Sequence, residues 1–259
     1  MKYYIVDAFA DALFKGNQAG VCLLDEWLDT DLLQTIAAEN QLAETAYVVD
    51  RGSHYDLRWF TPYMEVDLCG HATLATAYIL SNIVNQSLEE MNFHTASGIL
   101  KVIKKGDLFE LDFPSRPPLP VSFSPMVEQA IRMPVLEALL ARDLFVVVES
   151  EQKVRDLEID EAILNSIPDL YGLVITTTGE TADFVSRYFT PNCYPPEDPV
   201  CGSSHSALIP YWAARLGKDT LVAKTLSKRG GTLYCQNCSD RVKISGKGVL
   251  YLEGEIRIK

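Results

Sequence analysis

The chain lacks the short motifs that mark nucleotide chemistry. It has no Gly-x-Gly-x-x-Gly and no Gly-x-x-x-x-Gly-Lys-Ser/Thr, so no dinucleotide or phosphate loop is indicated. It is poor in positive charge. Lys and Arg number 23 against 35 Asp and Glu, a formal net charge of −12. Without a basic field to attract phosphates, nucleic acid and anionic membrane surfaces are not expected partners. The first residues, Met1-Lys2-Tyr3-Tyr4-Ile5-Val6-Asp7, hold no apolar run long enough for a signal peptide. Residues 68–88 carry no formal charge, but His71, Asn82, Asn85 and Gln86 interrupt them. A buried helix followed by a polar turn therefore fits better than a membrane span. Six cysteines without a secretory signal predict reduced thiols in a cytoplasmic protein. Cys235-Gln236-Asn237-Cys238 has no second pair to complete a zinc site, and no metal is expected.

What is present is a repeat. Arg58-Trp59-Phe60-Thr61-Pro62 precedes Asp67-Leu68-Cys69-Gly70-His71, and Arg187-Tyr188-Phe189-Thr190-Pro191 precedes Asp198-Pro199-Val200-Cys201-Gly202-Ser203. Phe60 and Phe189 stand 129 positions apart, Cys69 and Cys201 132. A repeat of that length is a domain, not a solenoid unit. Strands are predicted at 3–8, 21–24, 46–49, 56–60, 91–95, 99–103 and 109–113, with helices at 31–38 and 71–80. Pro114 to Pro120 reads as an extended connector that breaks regular structure. Beyond it come strands at 144–148, 173–177 and 183–189, helices at 160–165 and 203–216, and four strands from Leu221 to Ile258. The fold class is α+β: two pseudo-symmetric domains, 1–116 and 117–259, each a curled sheet around one apolar helix, with the last strands free to cross back to the first half. A cleft between the halves is the expected site.

Both Cys-Gly turns open a predicted helix, where unpaired N–H groups favour anions and lower a thiol pKa toward neutrality. Cys69 and Cys201 are thus candidate acid/base thiols, or parts of an anion clamp with Gly70, Ala72 and Gly202. The plain structural alternative is two buried cysteines filling core volume. Glu44 is the one acid between Asn40 and Val49, at the mouth of an apolar strand, and a partly desolvated carboxylate there suits a general base. His71 is placed to bind a carboxylate or relay a proton. Asp198 is placed to orient a substrate amine or hydroxyl; its alternative is a turn acid.

Asp7-Ala8-Phe9 with Gly16-Asn17, Ala43-Glu44-Thr45-Ala46, Gly70-His71-Ala72-Thr73-Leu74-Ala75, Asp198-Pro199-x-x-Gly202-Ser203 and Ser227-Lys228-Arg229-Gly230-Gly231 resemble the PhzF-like family, related to phenazine-biosynthesis isomerase. The resemblance covers essentially the whole chain. It implies the diaminopimelate epimerase-like fold, a cofactor-independent isomerase, a small carboxylate-bearing substrate and a homodimer. It implies Glu44 as the residue that moves the proton, with His71, Asp198 and Ser203 lining the substrate and Asn17 beside them. The sequence departs from the isomerase pattern at Cys201, commonly Thr there. Cys69-Gly70 and Cys201-Gly202 look similar to the cysteine turns of proline racemase and diaminopimelate epimerase. Three readings follow: a Glu44 isomerase, a two-thiol amino-acid racemase or epimerase using Cys69 and Cys201, and a non-catalytic ligand-binding relative.

Overall fold

A computed structural model describes residues 1–258. It divides into two compact units, residues 1–112 with 244 onward, and residues 113–243. The first unit contains β1 (Lys2–Ala8), β2 (Asn17–Leu24), α1 (Thr30–Asn40), β3 (Glu44–Asp50), β4 (Tyr55–Phe60), β5 (Glu65–Val66), α2 (Gly70–Ile79), β6 (Glu90–Thr95), β7 (Gly98–Lys105) and β8 (Leu108–Pro114). β1 and β2 are antiparallel, β2 and β3 parallel, and β3 and β4 antiparallel. β4 then pairs antiparallel with β5 and parallel with β6, and β6–β7–β8 continues antiparallel.

α2 has no charged residue, and of its ten residues only Gly70 and Tyr78 are not buried. A helix apolar on every side must be enclosed, and α2 packs on β1, β2 and β3. Its two buried threonines carry hydroxyls that would be costly to leave unpaired. They donate instead one turn back, Thr73 to the Cys69 carbonyl at 2.6 Å and Thr76 to that of Ala72 at 2.8 Å. A π-helical turn, Leu80–Val84, ends the segment. The uncharged stretch is therefore a core helix. Among the described residues no helix is long and apolar enough to cross a membrane.

The second unit contains β9 (Leu119–Pro120), α3 (Met126–Ile131), β10 (Glu137–Leu140), β11 (Leu144–Val147), α4 (Glu151–Arg155), α5 (Glu161–Ser166), β12 (Leu173–Thr178), β13 (Phe184–Phe189), β14 (Glu197–Asp198), α6 (His205–Leu216), β15 (Thr220–Thr225), β16 (Gly231–Cys238) and β17 (Arg241–Gly246), whose last residues belong to the first unit. β18 (Gly248–Glu255) returns to the first unit, antiparallel to β1. Inside the second unit β10–β11 is antiparallel, β11–β12 parallel, β12–β13 antiparallel, β13–β14 antiparallel, β13–β15 parallel and β15–β16 antiparallel. This is the pairing order of β1 to β7, with α6 in the place of α2. The sequence repeat is a repeat of topology.

The proline-rich connector is more ordered than its composition predicts. β8 runs to Pro114, and Leu119–Pro120 pairs with β10. Pro210 inside α6 explains a further tie. Its ring nitrogen has no hydrogen to offer the Ser206 carbonyl one turn back, and the Arg116 N–H takes that carbonyl at 2.9 Å.

Candidate active site

Gly16 adopts φ +64, and a Cβ there would lie 2.1 Å from the Ala8 carbonyl oxygen. Only glycine fits that turn, and it delivers Asn17 into the first position of β2. Glu44 is the first residue of β3, two strands across from β1. Cys69 caps α2 with extended backbone, and His71 lies in the helix's first turn. Four of the expected site residues thus converge. His71 Nε2 lies 3.0 Å from Glu44 Oε2, and the opposite ring nitrogen, Nδ1, lies 3.3 Å from Asn17 Nδ2 and 3.5 Å from Cys69 Sγ.

His71 and Cys69 are buried, whereas the Glu44 side chain keeps 19% exposure. The Glu44–His71 contact is ionic in distance, but its alignment falls short of a directed hydrogen bond. Burial opposes charge on the His71 ring, and its contacts with Cys69 and the Glu44 carboxylate outweigh it, so the imidazole pKa is raised well above the ordinary value. That direction favours a proton on Nε2, the atom nearest Glu44. The Cys69 thiol is pushed up by burial and by Glu44. The donor atoms of Glu44, Cys69 and His71 lie within 4.8 Å of one another. Cys69 and Glu44 nevertheless meet opposite edges of the imidazole, so in these rotamers the three do not converge on one ion.

In the second unit α6 begins at His205, not Ser203. Gly202 to Ser204 form a turn, and Ser204, not Cys201, is the capping residue. Cys201 is buried, with its Sγ 3.4 Å from Ser203 Oγ. Burial and then Asp198 raise its pKa. At both turns burial is the largest influence on the thiol and pushes its pKa up, opposite to the pull of a helix terminus. Asp198, in β14, accepts the Val200 N–H at 3.0 Å, as a turn acid does. Gly70 opens α2 with Ala72 buried behind it, and Gly202 is buried in the second turn.

Sequence reading missed the network around Ser203. Asp143 is 3% exposed and holds Arg142 through both carboxylate oxygens, at 3.2 and 2.8 Å. It also accepts from Tyr188 Oη at 3.1 Å. Arg142 donates to Ser203 Oγ at 3.2 Å and lies over the Tyr171 ring. Arg142, Asp143 and Ser203, with Arg116 and Ser206, line a small pocket of about 10 Å³, room for one water molecule. Adjacent Arg and Asp in a turn are ordinary surface chemistry, and only strand register reveals that Asp143 is buried. His205 was missed too. Its Nδ1 donates to the Cys201 carbonyl at 2.9 Å, and its Nε2 is buried without a partner. Burial lowers its pKa to about 4. Cys235 and Cys238, three apart on β16, point to opposite faces of the strand, so they form no redox pair.

The model of the phenazine biosynthesis-like protein family matches residues 6–254. A protein of Pseudomonas aeruginosa named an uncharacterized isomerase is 47% identical over 253 residues, 98% of this chain and 97% of its own. The crystal structure of a PhzF-family phenazine biosynthesis protein from Enterococcus faecalis superposes with TM-score 0.97 at 46% identity, covering 99% of each chain. A hydroxyproline epimerase from Agrobacterium vitis is similar in fold alone, with TM-score 0.61 at 13% identity over 98% of this chain and 91% of that one. The chain belongs to the phenazine biosynthesis-like family and is an isomerase of that family with a diaminopimelate epimerase-like fold.

Proposed function

We propose that this member of the phenazine biosynthesis-like family moves a proton between carbons of a small carboxylate-bearing metabolite, with Glu44 as general acid and base. One observation carries the reading: a carboxylate with one oxygen buried 3.0 Å from the His71 imidazole while its side chain keeps 19% exposure. The Glu44 carboxylate takes the proton from an acidic C–H as the electron pair moves into the substrate's conjugated acid group. The same carboxyl returns the proton at a second carbon, restoring the neutral product. His71 Nε2–H holds Oε2 throughout, and Asn17 and Cys69 fix the far edge of the ring. Positioned proton transfer of this kind contributes about 10²–10⁴-fold to rate.

The thiols support a secondary role. A base must be deprotonated when substrate arrives, and burial pushes both Cys69 and Cys201 away from the thiolate. We therefore assign Cys69 to His71, and Cys201 to Ser203, as packing and orienting contacts. Within the second unit, Arg142 holds the Ser203 hydroxyl. The experiment is a screen of small carboxylates, amino acids and cyclic dienes for deuterium uptake from D2O. Uptake by wild type that disappears in Glu44→Gln supports the carboxylate isomerase. Uptake at an amino-acid Cα that survives Glu44→Gln contradicts it and favours the two-thiol racemase.

A further inference from the structure

The chain has only four histidines, and two of them meet on the surface of the first unit. His54 closes the turn between β3 and β4. That turn is fixed by the Arg51 N–H donating to the His54 carbonyl at 2.9 Å and the Gly52 N–H donating to Asp50 Oδ1 at 2.7 Å. Asp56 on β4 and His94 on β6 are direct partners in the parallel pairing. The His54 and His94 rings stack with centroids 3.8 Å apart, and His54 Nε2 lies 3.3 Å from Asp56 Oδ1. One ligand atom from each of the three residues falls within 4.8 Å of the other two.

The surrounding contacts orient these atoms. Arg51 Nε donates to Asp56 Oδ2 at 2.8 Å, which leaves Oδ1 turned toward His54. Ser53 Oγ lies 3.1 Å from His54 Nδ1, which leaves Nε2 as the ring atom facing the carboxylate. Holding the far atom of each ligand by an outer hydrogen bond is how ligating histidines and carboxylates are set. In the tautomer where Ser53 accepts from Nδ1–H, a lone pair on Nε2 faces a carboxylate oxygen, an arrangement that a cation between them would satisfy.

We propose that His54, Asp56 and His94 bind a divalent transition-metal ion of the zinc and cobalt class, independently of the isomerase reading. Two imidazoles and one carboxylate suit these borderline ions over calcium or magnesium, which take all-oxygen shells. Ligand bonds of about 2.0–2.2 Å require the exposed His94 and the part-buried His54 and Asp56 side chains only to turn inward, with water completing the shell. The net charge of −12 favours cation capture. The bound ion ties the β3–β4 turn to β6 where the parallel pairing is only two residues long.

The test is titration of the full-length protein with Co2+, read by visible absorption, beside His54→Ala, His94→Ala and Cys69→Ser. The result expected is one Co2+ per chain, with ligand-field bands and no sulfur-to-cobalt charge-transfer band. Binding should be unchanged in Cys69→Ser and weakened at least tenfold in each histidine variant; loss of an outer partner alone costs about 10–100-fold. Zn2+ should raise the Tm of wild type and leave the His54→Ala, His94→Ala double variant unmoved. Absence of Co2+ bands overturns the proposal, as does a spectrum with a charge-transfer band that survives the double variant and vanishes in Cys69→Ser.

Discussion

The two units have one topology and two chemistries. Phe60 pairs with Thr45 in the first unit, and Phe189, its repeat partner, pairs with Leu173 in the second. One residue back along the equivalent strand, Glu44 therefore corresponds to Gly172. The parallel register extends the match: Ala19 faces Glu44, and the residue in Ala19's place is Asp143, next to Leu144, which faces Leu173. The first unit carries its acid on β3 with nothing but Ala19 beside it, so Glu44 is left to His71. The second unit carries its acid one strand over, and that acid is consumed by Arg142 and Tyr188. A side chain at position 172 would not fit, since its Cβ would lie 2.3 Å from Tyr188 Oη and 2.8 Å from Asp143 Oδ1. The histidines diverge in parallel. His71 faces an acid and its pKa rises; His205 faces the Cys201 carbonyl and the Phe184 ring, and its pKa falls. One scaffold occurs twice, and the placement of a single carboxylate separates the half proposed to transfer protons from its counterpart.

The largest expected break in that comparison is Glu44→Gln. It should cut proton exchange by about 10²–10⁴-fold while keeping the fold, because the amide has the same shape; any loss in the urea midpoint should be confined to the acid side, where Glu44 stabilises charge on His71. Next is Arg142→Ala, which should cost about 3 kcal/mol in urea unfolding, since a buried Asp143 would be left without its counter-ion. A similar loss from Glu44→Ala would mean the two acids are equally structural and the contrast between units is false.

Histidine titration gives two pH arms of opposite sign. His205 is depressed to about 4 against an unfolded value near 6.5. The unfolded chain binds the extra proton in that window, so stability falls as pH drops from about 6.5 to 4, by about 3 kcal/mol. His205→Leu should flatten this acid arm. His71 is raised, so its contribution is complete below about pH 6.5 and is lost as pH climbs through the folded value. His71→Asn should flatten that alkaline arm and leave the acid arm intact. The smallest effect expected is Gly172→Ala, at about 1–3 kcal/mol of overpacking with no gain of exchange activity. A neutral Gly172→Ala would show that the second unit has room for an acid after all.

Much of this was legible in the sequence because it was stated twice. The Phe-Thr-Pro and Cys-Gly repeats located the two halves, and the uncharged run of α2 announced a core helix. Glu44 stood out as an isolated acid on an apolar strand, and the PhzF resemblance joined it to His71 and Asn17. What stayed hidden depends on register and burial. α3, α4 and β10 are four to six residues long, too short for a periodic pattern to declare itself. The second helix begins two residues later than its apolar run because Ser203 and Ser204 close a turn. The state of the thiols could not be read, because a helix terminus is visible in sequence whereas the desolvation that opposes it is not. Asp143 and His205 belong to the same class: both read as ordinary residues until folding buries them.

The most direct test compares deuterium uptake from D2O in wild type, Glu44→Gln and the Cys69→Ser, Cys201→Ser double variant, on one substrate found by the carboxylate screen. The account predicts uptake at the rearranged carbon in wild type, retention in the double serine variant to within a few-fold, and its disappearance in Glu44→Gln. Full uptake in Glu44→Gln together with none in the double serine variant would contradict it, and would move the chemistry from the carboxylate of one unit to the thiols of both.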